Sequence, residues 1–442
     1  MNTSQLLSLK QRALTFRSET HLQRKERLKK LLKWIELNEH EIIAATKADF
    51  NKPAFETLIS EIIPTITELK HSIKNLKSWM KDSRVPTPLS LFGHTSYIRH
   101  ENKGVVLIIA PWNYPFGIAV APMIAAVSAG NTIVLKPSEL TTHTSELLKK
   151  MVESVFYSNE ALVALGGKEK TEELLELDFD HVFFTGSTAV GKIIAEKCSK
   201  KLIPYTLELG GKSPLIIDNT ADLDLATDRV LWAKFLNRGQ TCIAPDFACV
   251  HESVVERFIS LLNEKSQKLD SENKANIITP RHEKRLNDLL GKGSDIKERA
   301  LVTIKIENKS HPLMQDEIFG PILPVLSYKS DSDLFNLSVS NEKPLALYIF
   351  SKKNDFINRA LENIPSGGAA INSVLVHFGN HHLPFGGIGH SGVGRYHGKF
   401  GFDEMSHQRA VIRQSFASVA RFVFMPPYSD YKVKIANLFK NI

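Results

Sequence analysis

Cysteine is scarce in this sequence, with Cys198, Cys242 and Cys249 the only examples in 442 residues. So small and odd a number cannot form the disulfide framework of a secreted protein, and it fits a reducing compartment. Long apolar runs are also missing, since stretches such as 118–127 are too short to cross a bilayer. The amino end lacks an apolar core followed by a small-residue cleavage site. We therefore expect a cytoplasmic protein.

Charge of one sign is in small excess, with 56 Lys plus Arg against 48 Asp plus Glu and a net charge of +8. The basic residues of HLQRKERLKKLLKW alternate with leucines at helical spacing, without aromatic residues on which bases could stack. This pattern indicates a solvated helix face, so nucleic acid binding is not expected.

The hydrophobic and charged fractions, 43% and 24%, are typical of a folded globular protein. At roughly 150 residues per domain, the length favours two or three domains.

Strands and helices alternate along most of the chain. The spacing of apolar residues from 6 to 80 predicts a helical hairpin, after which GVVLIIAP, NTIVLKP and HVFFTG read as buried strands separated by helices. A second series of strands and helices follows residue 211. The alternation predicts an α/β fold with mainly parallel sheets, whose ligand crevices lie at the carboxyl ends of the strands.

Two glycine-rich stretches imitate nucleotide-binding motifs without meeting their requirements. GGKSP has Thr206 where a phosphate-binding loop needs glycine, so Lys212 is interpreted as an ordinary turn residue. GIGHSG has the spacing of a dinucleotide fingerprint, but no βαβ unit follows it. We interpret it as a glycine-rich turn near a pocket.

Histidines cluster in VHFGNHHLPFGG, at His377, His381 and His382. No pair of histidines has metal-binding helical spacing with a glutamate between them, and no paired cysteines accompany them. We interpret these histidines as polar surface residues and predict no metal site.

Cys242 is the strongest candidate for a nucleophile, because it lies in a polar loop, whereas Cys198 falls in a helix and Cys249 in a strand. A catalytic cysteine needs a setting that favours the thiolate. Glu208 and Asn113 each follow a predicted strand, where a carboxylate or an amide can reach a crevice. Taken singly, Glu208 could equally pair with a lysine, and Asn113 could form a turn.

Together these segments resemble the signatures of the aldehyde dehydrogenase superfamily, in the expected order from about residue 105 to 402. The motifs are APWNYPF, LKPSE, FFTGSTAVGK, LELGGKSP, RGQTC, DEIFGP and LPFGGIGHSGVGRYHGKFGF. GQTCIAPD, SYIRHENKGVVLIIAPWNYP and KPLALYIF look most like the class 3 branch, which includes fatty and aromatic aldehyde dehydrogenases.

The resemblance implies NAD(P)-dependent oxidation of medium- or long-chain aliphatic or aromatic aldehydes to carboxylic acids. Cys242 would attack the aldehyde to form a thiohemiacetal, and its oxyanion would be held by Asn113 and the backbone N–H of Cys242. Glu208 would then activate the water that hydrolyses the thioester. The alternatives are a related enzyme that transfers the acyl group to coenzyme A, which Glu208 argues against, and a non-catalytic binding or scaffold protein, which would have lost Cys242 or Glu208.

The same resemblance implies a cofactor site for NAD, although class 3 members often accept NADP as well. Lys136 and Glu139 would bind the adenosine ribose. The pyrophosphate would lie at a helix N-terminus formed by Gly186, Ser187 and Gly191. Glu317 and Phe319 would bind the nicotinamide half.

The implied architecture has a Rossmann-like cofactor domain, a catalytic domain and a small bridging or oligomerisation element. We assign residues 1–88 and 103–210 to the first, 211–404 to the second, and 89–102 with 405–442 to the third. The bridging element would be built from TSYIRHE and the strand near 410–413 and would join two subunits in a homodimer. The region 275–310 is shorter and more polar than is usual in the family, which leaves the edge of the catalytic sheet undetermined. The basic C-terminal tail could lie on a membrane surface as an amphipathic helix.

Overall fold

The computed structural model describes residues 1–269, 273–291, 295–297, 299–338, 343–414 and 425–438. Its helices are α1 (Thr3–Phe16), α2 (His21–Leu37), α3 (Glu39–Phe50), α4 (Ala54–Thr57), α5 (Ile63–Trp79), α6 (Gly117–Ala129), α7 (Thr142–Val155), α8 (Lys168–Leu175), α9 (Thr188–Lys200), α10 (Leu223–Phe235), α11 (Val255–Gln267), α12 (Pro280–Leu290), α13 (Asp331–Ser338), α14 (Asn354–Asn363), α15 (Gly398–Glu404) and α16 (Asp430–Leu438). Its strands are β1 (Ser83–Val85), β2 (His94–Asn102), β3 (Val105–Ile109), β4 (Thr132–Lys136), β5 (Ala161–Val163), β6 (His181–Thr185), β7 (Tyr205–Glu208), β8 (Pro214–Ile217), β9 (Phe247–His251), β10 (Val302–Lys305), β11 (Ile322–Tyr328), β12 (Ala346–Phe350), β13 (Gly368–Ile371), β14 (Gly392–Val393) and β15 (Ser406–Gln414).

Two six-stranded sheets confirm the predicted α/β class. The first has the order β14-β7-β6-β3-β4-β5, and its strands β3 to β7 are parallel. Every residue of β3 and β4 is buried, as is nearly all of α6, because helices cover both faces of the sheet. The carboxyl ends of β7, β6 and β4 therefore lie on the same side of this sheet. Those ends carry Glu208, Gly186 and Lys136.

The second sheet has the order β10-β11-β9-β8-β12-β13 and is parallel throughout. Its edge is closed by β10, which comes from the short polar region whose architecture the sequence left undetermined. Strand β14 of the assigned catalytic range pairs antiparallel with β7, so this segment returns to the first sheet.

A three-stranded sheet with the order β1-β2-β15 stands beside them. The two segments assigned to the bridging element, TSYIRHE and 410–413, pair in this sheet, with Ile98 opposite Ala410 and Thr95 opposite Arg413. Strand β1 also belongs to this sheet, although it precedes the assigned start at residue 89. Of the assigned tail, 415–424 and 439–442 fall outside the described residues. No helix in the described ranges is long and apolar enough to cross a bilayer.

The predicted amino-terminal hairpin is wrong, because the region folds into α1 to α5 with a π-helical turn (Leu58–Ile62). Asn2 and Thr20 each form a capping box that starts a new helix, and Asn51 ends α3 in the left-handed conformation. The apolar spacing continues across these boundaries, so periodicity alone could not reveal them.

A buried ion pair holds the loop that precedes α6. Glu61 and Lys52 are both fully buried, and Lys52 Nζ donates to Glu61 Oε1 at 2.6 Å. Glu61 Oε2 accepts the backbone N–H groups of Phe116 and Gly117 at 2.8 and 3.1 Å. These are unpaired donors at a helix start, so the carboxylate fixes where α6 begins and where the APWNYPF loop ends.

We expect Glu61→Ala to lower the free energy of unfolding by about 3–5 kcal/mol, because it leaves Lys52 buried without a counter-charge. Urea denaturation would measure the loss. The matched control is Glu36→Ala, which removes an exposed 3.2 Å pair with Lys70 and should cost at most about 1 kcal/mol. Equal effects of the two substitutions would contradict the role assigned to Glu61.

Candidate active site

Cys242 and Glu208 line the same cavity, which has a volume of 330 Å³. Glu208 ends β7 of the first sheet, whereas Cys242 lies in the loop before β9 of the second. Tyr114 and Thr185 also contribute to the wall, and apolar side chains such as Trp232 and Phe378 supply much of the rest. The structure therefore brings together the predicted nucleophile and the predicted base.

The loop that carries Cys242 has a strained backbone. Asn237 and Arg238 adopt φ values of 49° and 55°, a left-handed conformation that is unusual for arginine. Glu56 Oε2 accepts the backbone N–H of Asn237 at 2.9 Å, and Arg238 donates to the carbonyl of Ile296 at 2.6 Å. These buried contacts hold the turn in its strained form.

Asn113 is buried but does not line the cavity itself. Its Nδ2 donates to the carbonyl of Gln240 at 3.0 Å, and its backbone carbonyl accepts from Asn237 Nδ2 at 2.8 Å. Asn237 Nδ2 also donates to the Gln240 carbonyl at 3.2 Å. An amide carries two donor hydrogens, so the bond to Gln240 orients Asn113 and leaves its second hydrogen for another acceptor.

The expectation that the surroundings of Cys242 favour its thiolate is wrong for this structure. Burial, followed by the negative charges of Glu317 and Glu208, raises the pKa of Cys242 to about 12. The sulfur nevertheless belongs to a partly exposed residue on the cavity wall. Burial therefore favours the neutral thiol, and attack by the sulfur requires that this proton leave.

Glu208 is an uncommonly isolated carboxyl group. Burial and the neighbouring charge of Glu404 raise its pKa well above the usual value. Neither of its oxygens has a hydrogen-bond partner within the described ranges. A carboxylate with a raised pKa is a stronger base than an exposed one, which suits proton transfer near neutral pH.

The GIGHSG stretch forms the expected glycine-rich turn beside this pocket. Gly392 of β14 pairs with Glu208, and a side chain at Gly392 would meet the carbonyl oxygen of Leu207 at 2.3 Å. Glycine is required there because the turn packs directly on the backbone of β7.

The residues assigned to the dinucleotide lie where the strands of the first sheet end. Lys136 is buried, and its Nζ donates to the exposed Glu139 at 2.8 Å. Ser187 caps α9 by accepting from the backbone N–H of Val190, and a side chain at Gly191 would meet Leu209 at 2.6 Å. Gly186 connects β6 to this cap. A helix N-terminus next to a glycine suits an anionic group such as a pyrophosphate.

Glu317 and Phe319 lie in the loop before β11 of the second sheet. A side chain at Gly210 would meet Glu317 Oε2 at 2.1 Å, so the glycine makes room for this carboxyl group. Burial and Asp246 raise the pKa of Glu317 to about 8. Phe319 adopts φ 51° and packs edge-on against Trp112, with ring centroids 5.5 Å apart.

Lys212 stabilises this loop through several contacts and is not the ordinary turn residue that the sequence suggested. Its Nζ contacts Asp246 and donates to the carbonyls of Leu313 and Asp316 at 2.8 and 3.0 Å. Asp246 in turn accepts the backbone N–H of Ile318 at 2.9 Å. The sequence also gave no sign of the roles of Glu56, Glu61 and Asn237. Their partners lie far away along the chain, and no local spacing signals such contacts.

The histidines of VHFGNHHLPFGG do not share one environment. His382 is exposed, as predicted, but His377 packs near Tyr348 and Phe385. Burial lowers the pKa of His377 to about 4, so the ring is neutral. His381 lines the cavity and lies 2.6 Å from the carboxylate of Glu68. The interpretation as polar surface is therefore wrong for His377 and His381.

Comparison with known proteins matches residues 9–411 to the aldehyde dehydrogenase family. The 4,4'-diaponeurosporen-aldehyde dehydrogenase of Staphylococcus aureus is 42% identical over 435 residues, which cover 95% of each chain. Aldehyde dehydrogenase family 3 member A2 of Pongo abelii is 38% identical, covering 98% of this chain and 92% of its own. The solved structure of Staphylococcus aureus AldH in a substrate-bound state superposes with a TM-score of 0.94 at 40% identity, covering 99% of this chain and 100% of the other.

This chain belongs to the aldehyde dehydrogenase family and acts as an NAD(P)-dependent aldehyde dehydrogenase. The relatives from family 3 confirm the resemblance to the class 3 branch.

We expect alkylation of Cys242 by iodoacetamide to accelerate with rising pH and to show no plateau below about pH 9, because a free thiol titrates near 8.5 and burial raises this value. Mass spectrometry of the Cys242 peptide would give the rate for the enzyme without cofactor. The double variant Cys198→Ser, Cys249→Ser serves as the control for modification elsewhere. A plateau near pH 7 would show that the surroundings stabilise the thiolate instead.

Proposed function

We propose that the enzyme oxidises aldehydes to carboxylic acids through a covalent thioester on Cys242. The single observation that carries this proposal is the shared cavity, in which a part-exposed thiol and an unpaired buried carboxyl group face one space. A nucleophile, a base and an oriented amide are the groups that acyl chemistry requires.

In this mechanism the thiol of Cys242 loses its proton to solvent as its sulfur bonds to the aldehyde carbon. The oxygen of the thiohemiacetal becomes an oxyanion. Its proposed donors are the backbone N–H of Cys242 and the second amide hydrogen of Asn113, whose Nδ2 donates to the carbonyl of Gln240. One such donor stabilises the transition state by about 2.7–4 kcal/mol. After oxidation, Glu208 takes a proton from water as that water attacks the thioester carbon. The carbon–sulfur bond breaks, the acid is released, and the leaving sulfur takes the proton from Glu208, which returns both groups to their starting state.

The residues at the carboxyl ends of the strands of the first sheet fit a nicotinamide dinucleotide. Gly186 and Ser187 would hold the pyrophosphate, Lys136 and Glu139 the adenosine ribose, and the loop of Glu317 the nicotinamide half, with Gly191 and Phe319 shaping the walls. When bound, such a cofactor supplies the acceptor for the hydride that leaves the substrate carbon. A carboxylate at Glu139 would repel a 2′-phosphate, which favours NAD, with NADP as the second choice.

We propose medium- or long-chain aliphatic or aromatic aldehydes as substrates. The support is the predominantly apolar wall of the cavity, to which Ile118, Leu236 and Phe385 contribute. Removing apolar substrate surface from water contributes about 25 cal/mol per Å². A panel of aldehydes ranked by kcat/KM tests the assignment, and highest values for short polar aldehydes would contradict it.

Glu208→Gln should leave the first hydride transfer observable as a burst while slowing steady-state turnover, because the amide cannot accept a proton from water. Stopped-flow absorbance of the reduced nicotinamide would separate the two phases. Cys242→Ala should lose the burst and still bind cofactor. Unchanged turnover in Glu208→Gln would remove this residue from hydrolysis, and turnover that depends on added coenzyme A would indicate the acyl-transferring alternative.

We infer that the protein is a homodimer joined through the three-stranded sheet. Strand β15 is an edge strand in the described part of the chain, and most of its side chains are exposed, including Ile412. An unpaired strand edge is a template for pairing with a second chain. Analytical ultracentrifugation should give twice the mass of one chain, and Ile412→Lys should shift the equilibrium towards the monomer. A wild-type monomer would overturn this proposal.

We propose a cytoplasmic location, which the scarcity of cysteine in the sequence supports. The basic C-terminal tail offers the alternative of contact with a membrane surface. Fractionation of lysed cells should place the protein in the supernatant after high-speed centrifugation. Recovery in the membrane pellet would favour the alternative.

A further inference from the structure

Three side chains with metal-binding atoms converge on one part of the cavity wall. Glu68 comes from α5, His381 from the loop before β14, and His397 from the residue before α15. One donor atom from each lies within 4.8 Å of the other two. All three residues line the cavity that contains Cys242.

The outer atoms of these side chains are held by neighbours. Glu68 Oε1 accepts the backbone N–H of Gly398 at 2.8 Å, and His381 Nε2 lies 3.0 Å from Thr67 Oγ1. The ring of His397 packs edge-on against the ring of Phe378, with centroids 4.6 Å apart. Partners of this kind orient the ligands of metal sites in proteins.

The atoms of these side chains that point towards one another, in contrast, form no aligned hydrogen bonds. Glu68 Oε2, His381 Nδ1 and His397 Nδ1 are buried and have no hydrogen-bond partner among the described residues. His381 Nδ1 lies only 2.6 Å from Glu68 Oε2, but the two atoms lack the alignment of a hydrogen bond. Buried polar atoms are normally satisfied, so three that converge call for a shared partner.

We propose that Glu68, His381 and His397 form a binding site for Zn²⁺ on the wall of the substrate cavity. Two imidazoles and one carboxylate are a set of protein ligands that Zn²⁺ accepts, and they leave a fourth position open. That position faces the cavity, so a bound ion competes with substrate for space. The inhibition rests on the proposed function, whereas the binding does not.

Metal binding is measured on the full-length Cys242→Ser enzyme, because a thiolate in the same cavity could also bind zinc. Titration against a chromophoric zinc indicator should show one ion per chain. Cobalt, which replaces zinc in such sites, should give visible bands without the near-ultraviolet charge-transfer band of a thiolate ligand. These readouts do not depend on turnover, so they remain informative if the proposed reaction is wrong.

Variants locate the site. Glu68→Gln and His381→Asn should each weaken zinc binding by more than 100-fold, while His382→Asn, at an exposed neighbouring histidine, should leave it unchanged. Thr67→Val should weaken binding by about 10–100-fold, because it removes the partner that orients His381. Circular dichroism and thermal melting would verify that each variant folds, and Thr67→Val tests the site with its three ligands intact.

Absence of stoichiometric zinc binding in the Cys242→Ser enzyme would overturn the proposal. Equal loss of binding in His382→Asn would overturn the assignment of ligands. With wild-type enzyme, zinc should inhibit aldehyde oxidation competitively with substrate, and this inhibition should weaken in Thr67→Val by the same factor as binding. Binding without inhibition would leave the site in place and count against the position assigned to the aldehyde.

Discussion

The side chain of Asn237 links the two loops on which the chemistry depends. Its amide donates to the carbonyls of Asn113 and Gln240, while Asn113 itself donates to Gln240. One loop follows a strand of the first sheet and the other precedes a strand of the second. Neither sheet alone fixes the distance between the amide of Asn113 and the sulfur of Cys242. These shared hydrogen bonds set that distance, and a misplacement of about 1 Å can cost roughly 100-fold in rate.

Buried charges around the site act mainly on backbone groups. Glu61 holds the start of α6, Glu56 holds the strained turn before Cys242, and Lys212 holds the loop of Glu317. A buried ion pair is weak evidence for stability, because desolvation offsets the attraction between the charges. Here the charged groups satisfy N–H and C=O groups of irregular segments that would otherwise be buried without partners. These charged side chains thus stabilise loop conformations that the regular sheets alone would not maintain.

The sequence predicted the parallel sheets well, because fully apolar strands separated by amphipathic helices leave few other arrangements. It also predicted that Glu208 and Asn113 lie at the ends of strands, since strand ends are local features. It failed where a segment depends on distant partners. The capping boxes at Asn2 and Thr20 divide a continuous apolar pattern, and the surroundings of Cys242 raise the pKa that a polar loop was expected to lower. Glu68 and His381 are likewise distant in sequence, so no ligand spacing could connect them.

The antiparallel pairing of β14 with β7 has a consequence for how the chain can be divided. Because Gly392 and Val393 cover the outer side of β7, the first sheet is complete only after the polypeptide has passed through the second. A fragment that ends at residue 210 would expose an unprotected strand edge next to Glu208 and invite aggregation. A nascent chain would expose the same strand edge until residue 393 has left the ribosome. The last strand of the first sheet can therefore pair only late in synthesis.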